Sequence, residues 1–300
     1  MKLAVSREVR EALAARRPVV ALESTVIAHG LPRPVNLETA RELERIVRAG
    51  GATPATIALA DGRAVVGADS ALVERLAMED EIAKVSLRDL APVLADPKRI
   101  GATTVAATVE IAARAGVAVF ATGGIGGVHR DAERTFDVSA DLGAIARHPV
   151  CVVCAGAKLI LDLPRTLEHL ETLGVPVIGY GTDDFPAFYV RESGLRLAHR
   201  VDDAERAARI VRAQVDRGAG LVIAVPPPAD AALAADEGDA TVARAVSEAA
   251  REGVAGAALT PYLLRALGTM SEGRSLRANV ALLRRNAEVA AAIARELAAL

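Results

Sequence analysis

The chain has 300 residues, 52% of them hydrophobic and 25% charged. That composition excludes a disordered segment and can build a core without disulfides or structural metals. Its 36 basic and 38 acidic side chains give a net charge of −2, so it lacks the basic surplus of a sequence-independent nucleic-acid binder. With no Trp, three Tyr and four Phe, it also lacks an aromatic platform for stacking bases or sugars.

No stretch reads as a membrane span: the apolar run Ala115 to Val128 is too short and too rich in glycine. Arg7, Glu8, Arg10 and Glu11 stand where a secretory signal would place apolar residues. The expected location is the cytoplasm. Cys151 and Cys154 lie in an apolar strand run, where positions i and i+3 face opposite ways. They read as buried thiols of a reducing compartment rather than as a bridge or a metal pair.

In chain order, a helix is expected over 7–16, stopped by Pro18, then a strand over 19–22. Helix returns over 36–49 and ends at Gly50-Gly51. A hairpin follows, 55–59 and 64–66 around Asp61-Gly62. A helix over 70–79 and a strand over 82–85 lead to Ser86-Leu87-Arg88-Asp89, a capping box that opens another helix. Helix 103–115 stops at Gly116, and strand 117–121 runs into the glycine loop 122–127. A short helix to about 147, a strand over 150–153, a helix over 165–173 and a strand over 175–179 come next. Helix 203–217, strand 221–225 and helices 239–251, 261–267 and 276–298 complete the chain. This alternation predicts a three-layer α/β/α fold with a mainly parallel central sheet, plus a small hairpin. Without a linker or a repeat, residues 1–300 are expected to form one domain. Ligands in such sheets sit beyond the C-terminal ends of the strands.

Several residues at those exits could carry chemistry. Of the 36 basic residues, 32 are Arg and four are Lys: Lys2, Lys84, Lys98 and Lys158. Lys158 follows the apolar strand ending in Cys154-Ala-Gly-Ala157. Partial desolvation there favours a neutral amine, a nucleophile toward carbonyl carbon that arginine cannot replace. A snorkelling surface lysine is the bland alternative. Lys84 suits a phosphate point charge or a plain surface charge. Glu23 ends the first strand, where apolar neighbours would raise its pKa and make it a general acid; a helix cap or an ion pair with arginine is the alternative. The glycine loop departs from the dinucleotide fingerprint, since His129 stands where glycine is required and no helix opens there.

Asp137, Ser139 and Asp141 precede a helix. Ser139 reads as its N-cap, and a lone carboxylate with waters suits Mg²⁺ or Mn²⁺ beside a phosphorylated substrate. His29 and His129 fall in loops near strand exits, whereas His148, His169 and His199 read as surface residues. There is no Cys/His zinc pattern, no nucleophile elbow and no P-loop.

The strings Val20-Ala-Leu-Glu-Ser-Thr-Val-Ile-Ala-His-Gly30, Gly101-Ala-Thr-Thr-Val105, Phe120-Ala-Thr-Gly-Gly-Ile-Gly-Gly-Val-His-Arg130, Thr135-Phe-Asp-Val-Ser-Ala-Asp141 and Val153-Cys-Ala-Gly-Ala-Lys158 resemble the pseudouridine-5′-phosphate glycosidases. These are also called the indigoidine synthase A-like family. Gly174-Val-Pro-Val-Ile-Gly-Tyr180, Pro186-Ala-Phe188 and Ser275-Leu-Arg-Ala-Asn279 extend the resemblance from about residue 5 to the C-terminus. It implies reversible cleavage of the C–C bond of pseudouridine 5′-phosphate to uracil and ribose 5-phosphate, by a homotrimer with one Mn²⁺ per subunit. Lys158 then matches the covalent nucleophile, Glu23 the proton donor and Asp137 the metal ligand. Lys84, Val105 and Ser139-Ala140-Asp141 match substrate-binding positions, and His129 and Asn279 lie in matching strings. The chain departs from the family pattern after Leu90, at Asp96-Pro97, and over 226–240.

Two other readings use the same residues differently. A Schiff-base aldolase or lyase acting on another sugar phosphate needs the same lysine, acid and phosphate site. A sugar-phosphate-binding protein without turnover has no use for a nucleophilic Lys158.

Overall fold

The computed structural model describes residues 1–254 and 259–300. The chain runs β1 (Leu3–Val5), α1 (Arg7–Ala14), β2 (Val19–Leu22), α2 (Val35–Ala49), β3 (Thr53–Ala60), β4 (Arg63–Val66), α3 (Ser70–Met78) and β5 (Ala83–Val85). It continues through α4 (Leu90–Leu94), β6 (Gly101–Thr103), α5 (Val105–Ala115), β7 (Val119–Ala121), α6 (Ala132–Thr135), α7 (Ala140–Arg147), β8 (Cys151–Cys154) and α8 (Leu163–Thr172). It closes with β9 (Val177–Tyr180), β10 (His199–Val201), α9 (Ala204–Val215), β11 (Leu221–Ala224), α10 (Ala235–Arg251), α11 (Leu259–Met270) and α12 (Arg274–Ala299).

The strands form one sheet in the order β1-β4-β3-β2-β7-β8-β11-β9-β10, with β6 beside β3 and β5 beside β6. Every pairing is parallel except β3–β4 and β3–β6. The hairpin therefore extends the sheet. Strands β2, β8 and β11 are buried along their whole length, which is why they read as continuous apolar runs rather than alternating ones. Helices α2 and α9 each pack on α12, which lies on β2, β7 and β8; α5 packs on α7 and on β2, β3 and β4. Among the described residues, no helix is long and apolar enough to cross a membrane.

Local chemistry sets the element ends. The side chains of Asp69, Ser139, Asp162 and Asp203 cap α3, α7, α8 and α9 by accepting from backbone N–H groups one turn in. The Ser86–Asp89 capping box forms as expected, around a single 3₁₀ turn that feeds α4. Gly116 terminates α5 with φ of 80°.

Four expectations need correction. Thr103 is not helical: Gly101–Thr103 pairs with β3 and β5 as a strand, and the helix begins at Val105. The strands β1 and β10, three residues each, are too short to leave a pattern. His29 lies in a π-helical turn, Val26–Gly30, rather than a loop. His148 is not a free surface residue but a largely buried partner of Glu110, 2.7 Å away.

Strand β2 has β3 on one side and β7 on the other. Sequence-adjacent connections therefore diverge there, and the crevice beyond the carboxyl ends of β2 and β7 is the switch point where such sheets bind ligands. The wall of that crevice includes Gly156, at φ of 73°, whose Cβ position would collide with the carbonyl oxygen of Pro186. Substitution Gly156→Ala should lower unfolding stability by at least about 2 kcal/mol in urea titration. Stability equal to that of the parent would show that this backbone close approach does not constrain the loop.

Candidate active site

Glu23 follows β2 and Thr122 follows β7, so both stand at the switch point. The Thr122 hydroxyl donates to the Glu23 carboxylate. Glu23 keeps a little solvent contact, but protein atoms crowd its carboxyl. Burial is the largest influence and drives its pKa up to about 7, against the pull of Lys158, the Thr122 hydroxyl and Lys84. A carboxyl group poised there can hold or give a proton at neutral pH.

Lys158 follows the β8 exit and reaches back under the glycine loop, where its Nζ donates to the Gly124 carbonyl at 3.0 Å. The loop itself is tied to the lysine's backbone, since Lys158 N–H donates to Ile125 O. The charges of Lys158 and Lys84 both bear on Glu23, and each also feels the other. Lys84, on β5, is half-buried, and desolvation together with Lys158 lowers its pKa. Three of the residues expected at the site therefore share one small, poorly solvated volume.

Asp141 is buried at 6% exposure, and both its carboxylate oxygens accept from backbone amides. Oδ1 takes the Ala106 N–H at 2.9 Å and Oδ2 takes the Gly126 N–H at 2.8 Å. It thus pins the glycine loop against the first turn of α5. Gly126 has no room for a Cβ, which would meet Ser139 Oγ and Asp141 Oδ2. Ser139 accepts from Asp141 N–H as the N-cap of α7, as expected. Ala140 begins α7 and is exposed. Val105 stands at the first position of α5, its side chain buried, and helix-start N–H groups are the ones free for an anion.

His129 and Asp137 form the rim. His129 Nδ1 is 3.8 Å from Asp137 Oδ2, and its backbone N–H donates to Asp137 O at 3.0 Å. Burial lowers the His129 pKa, opposed by Asp137 and assisted by Lys158. Asp137 is half-exposed, and among the described residues no cluster of three or more His, Cys, Asp or Glu side chains could cage a metal ion. A hard divalent cation that retains most of its water and takes one carboxylate plus substrate oxygens fits this donor set; a zinc-type cage does not.

Asn279 lies buried on α12, two turns before Asn286 on the same face. Asn286 donates to Thr122 O at 2.7 Å, so α12 buttresses the strand exit that carries the Glu23 partner. Sequence reasoning missed Asn286, and it gave no role to Thr122 or Phe188, although both fall in strings it singled out. The ring of Phe188 packs where Cβ atoms on Gly123 and Gly124 would stand, which accounts for glycine at both positions. The available signals were the place of Thr122 at the head of the glycine loop and of Phe188 in the string Pro186-Ala-Phe188.

A cavity of about 690 Å³ opens at the other end of the sheet, between Arg17, Val119, Arg212 and Leu297. No Asp, Glu or Lys side chain lines it, so the acid and amine chemistry stays at the switch point. The Cys151 and Cys154 thiols are free and buried, and burial pushes Cys154 up to about 12.

A family model described as indigoidine synthase A like protein matches residues 8–296. A pseudouridine-5′-phosphate glycosidase from Caldanaerobacter subterraneus subsp. tengcongensis is 53% identical over 295 residues, covering 98% of this chain and 96% of its own. One from Solibacter usitatus is 53% identical over 299 residues, 99% of this chain and all of its own. Among solved structures, a prealnumycin C-glycosynthase in complex with ribulose 5-phosphate superposes with a TM-score of 0.91 at 44% identity, covering 100% of this chain and 98% of that one. An indigoidine synthase A-like protein from Thermotoga maritima gives 0.89 at 34% identity, covering 99% and 97%.

The raised Glu23 pKa has a consequence for stability. Below pH 4.5, its ordinary value, the carboxyl is protonated both folded and unfolded. Between there and about 7 the unfolded chain loses the proton while the folded one keeps it, so folding is progressively disfavoured as pH rises. Glu23→Gln removes that titration. Relative to the parent, the variant should gain on the order of 2 kcal/mol between pH 4.5 and 8, measured by urea unfolding. A pH-independent difference would mean that the carboxyl is not buried in its neutral form.

Proposed function

The chain belongs to the indigoidine synthase A-like family, and we propose that it is an enzyme of pseudouridine breakdown. It cleaves the C–C glycosidic bond of pseudouridine 5′-phosphate reversibly, giving uracil and ribose 5-phosphate. The observation that carries this reading is the convergence of one amine, Lys158, and one near-neutral acid, Glu23, on the switch point. Relatives bearing that activity in their name match half of its residues along nearly the whole chain. The ribulose 5-phosphate held by the C-glycosynthase is a five-carbon sugar phosphate of the same class.

The residue types answer a chemical difficulty. An N- or O-glycosidic bond breaks once its leaving atom is protonated, commonly with a pair of carboxylates. A carbon–carbon bond to uracil offers no such atom. In our mechanism the Lys158 amine attacks C1′, the C1′–O4′ bond breaks, and Glu23 gives its proton to the ring oxygen. The opened sugar now carries the lysine nitrogen and the uracil carbon on C1′. The ammonium so formed returns a proton to the Glu23 carboxylate, Glu23 delivers it to that uracil carbon, and the freed nitrogen lone pair expels uracil, leaving an iminium between C1′ and Lys158. Water adds, and ribose 5-phosphate and the free amine are released. Only lysine can take this path, because a guanidinium neither deprotonates nor forms an imine under these conditions.

The ends of the substrate are placed by the same residues. Lys84 supplies a point charge for the phosphate, and the Val105 N–H at the start of α5, the Ala140 N–H and the Ser139 hydroxyl supply donors. Asp137 would hold the divalent manganese ion, with His129 beside it, and the ion would supply positive charge next to a phosphorylated substrate. Asn279 closes the pocket from α12. A homotrimer completes the reading: Phe136, 84% exposed beside Asp137, offers apolar surface that another copy would cover. The free thiols of Cys151 and Cys154 suit a cytoplasmic setting.

Incubation of the purified protein with pseudouridine 5′-phosphate and Mn²⁺, followed by chromatography, should release uracil and ribose 5-phosphate together, and a chelator should suppress both. Lys158→Arg should lower turnover by about three orders of magnitude or more while retaining the fold. Absence of product from the folded protein, or near-parental turnover by the arginine variant, would overturn the proposal.

A further inference from the structure

His29 is unused by this mechanism, yet it carries an unmet polar group. It lies six residues past Glu23, in the turn Val26–Gly30. Its Nε2 sits 3.1 Å from the carbonyl oxygen of Ile82. A carbonyl only accepts, so Nε2 carries the hydrogen and the neutral ring must present Nδ1 as a bare lone pair. That Nδ1 is buried and has no hydrogen-bond partner. Buried acceptors without partners are uncommon and cost free energy.

The complementary group is close by. Ile82 directly precedes β5, whose middle residue is Lys84. The Lys84 charge bears on the imidazole, and burial together with that charge lowers the His29 pKa. Among the described residues the Lys84 ammonium has no hydrogen-bond or ion-pair partner either. An unfilled buried acceptor thus neighbours an unfilled, partly desolvated triple donor.

We propose that His29 is a positioning residue for substrate binding: its Nδ1 accepts one hydrogen bond from the Lys84 ammonium and aims the remaining two N–H groups at the phosphate of the sugar phosphate. The inference rests on the function proposed above, in which Lys84 meets that phosphate. Through its two nitrogens His29 acts twice, holding the β5 backbone at Ile82 and orienting the side chain two residues further on. An ammonium on a four-carbon stem otherwise samples many rotamers, and fixing one donor removes part of that freedom before the ligand arrives.

One amide side chain separates the roles. Glutamine places its amide where Nε2 sits and can still donate to Ile82 O, but leaves nothing at Nδ1. His29→Gln should therefore unfold at the parental urea concentration, while its Kd for ribose 5-phosphate, by calorimetry, rises about tenfold. Its KM should rise in step, with kcat changing far less. In a Lys84→Ala background the same substitution should add no further loss. Parental affinity in His29→Gln, or an equal loss with and without Lys84, would overturn the proposal while leaving the function intact. Failure of the parent to bind ribose 5-phosphate would overturn both. If His29→Gln does not fold, the ¹⁵N resonance of His29 Nδ1 in the parent decides. A shift toward the hydrogen-bonded range on adding ribose 5-phosphate supports the inference, and a resonance that stays at the free lone-pair position overturns it.

Discussion

The carboxylate of Asp141 holds the site together. It is buried, and each of its oxygens receives a backbone N–H, one from Ala106 at the start of α5 and one from Gly126 in the loop after β7. Hydrogen bonds to a charged acceptor are among the stronger ones in proteins, contributing about 1.5–3 kcal/mol each. This pair joins three elements that meet only through tertiary structure: α5, α7 and the glycine loop. The loop in turn supplies the Gly124 carbonyl that receives the Lys158 ammonium. The same negative charge acts on both Lys84 and Glu23, favouring the cation on one and disfavouring the anion on the other.

That electrostatic arrangement accommodates two lysine charges that act on one another, in a chain with 32 Arg and only four Lys. The surface ion pairs are made by arginines, as between Arg45 and Glu42 or Arg200 and Asp183. Exposed pairs of that kind contribute little to stability. At the switch point a guanidinium would fail for a different reason, since it stays charged and cannot become a nucleophile. The charge of Lys158 disfavours the cation on Lys84, and Asp141 and Glu23 offset part of that repulsion. Around this polar centre, Phe188 and α12 close the glycine loop, with Asn286 reaching the Thr122 carbonyl from below.

The architecture was legible because buried parallel strands leave continuous apolar runs with glycine or proline at their ends. Val19–Leu22, Cys151–Cys154 and Leu221–Ala224 are all such runs. Lys158 and Glu23 stood out because each is an ionisable residue at the exit of one of those strands, Glu23 directly after β2 and Lys158 four residues past Cys154. The three-residue strands β1 and β10 were too short to carry a period, and β6 was hidden because Thr103 adjoins a strongly helical segment. The contacts that organise the site were not legible. Asp141 and Ala106 are 35 residues apart and Asn286 and Thr122 are 164 apart, and such pairings are decided by how the layers stack. Neither the helix-start position of Asp141 nor its match to a substrate-binding position of the family gave a sign of its backbone clamp. Nor did the sequence distinguish the two nitrogens of His29.

The central claim is that Lys158 forms the covalent bond. The most direct measurement is reduction of the protein with borohydride in the presence of ribose 5-phosphate, followed by mass spectrometry of its peptides. The account predicts a stable reduced sugar-phosphate adduct on Lys158, dependent on both reagents, with Lys84 unmodified. An unmodified Lys158, or an adduct found on Lys84 instead, would contradict it.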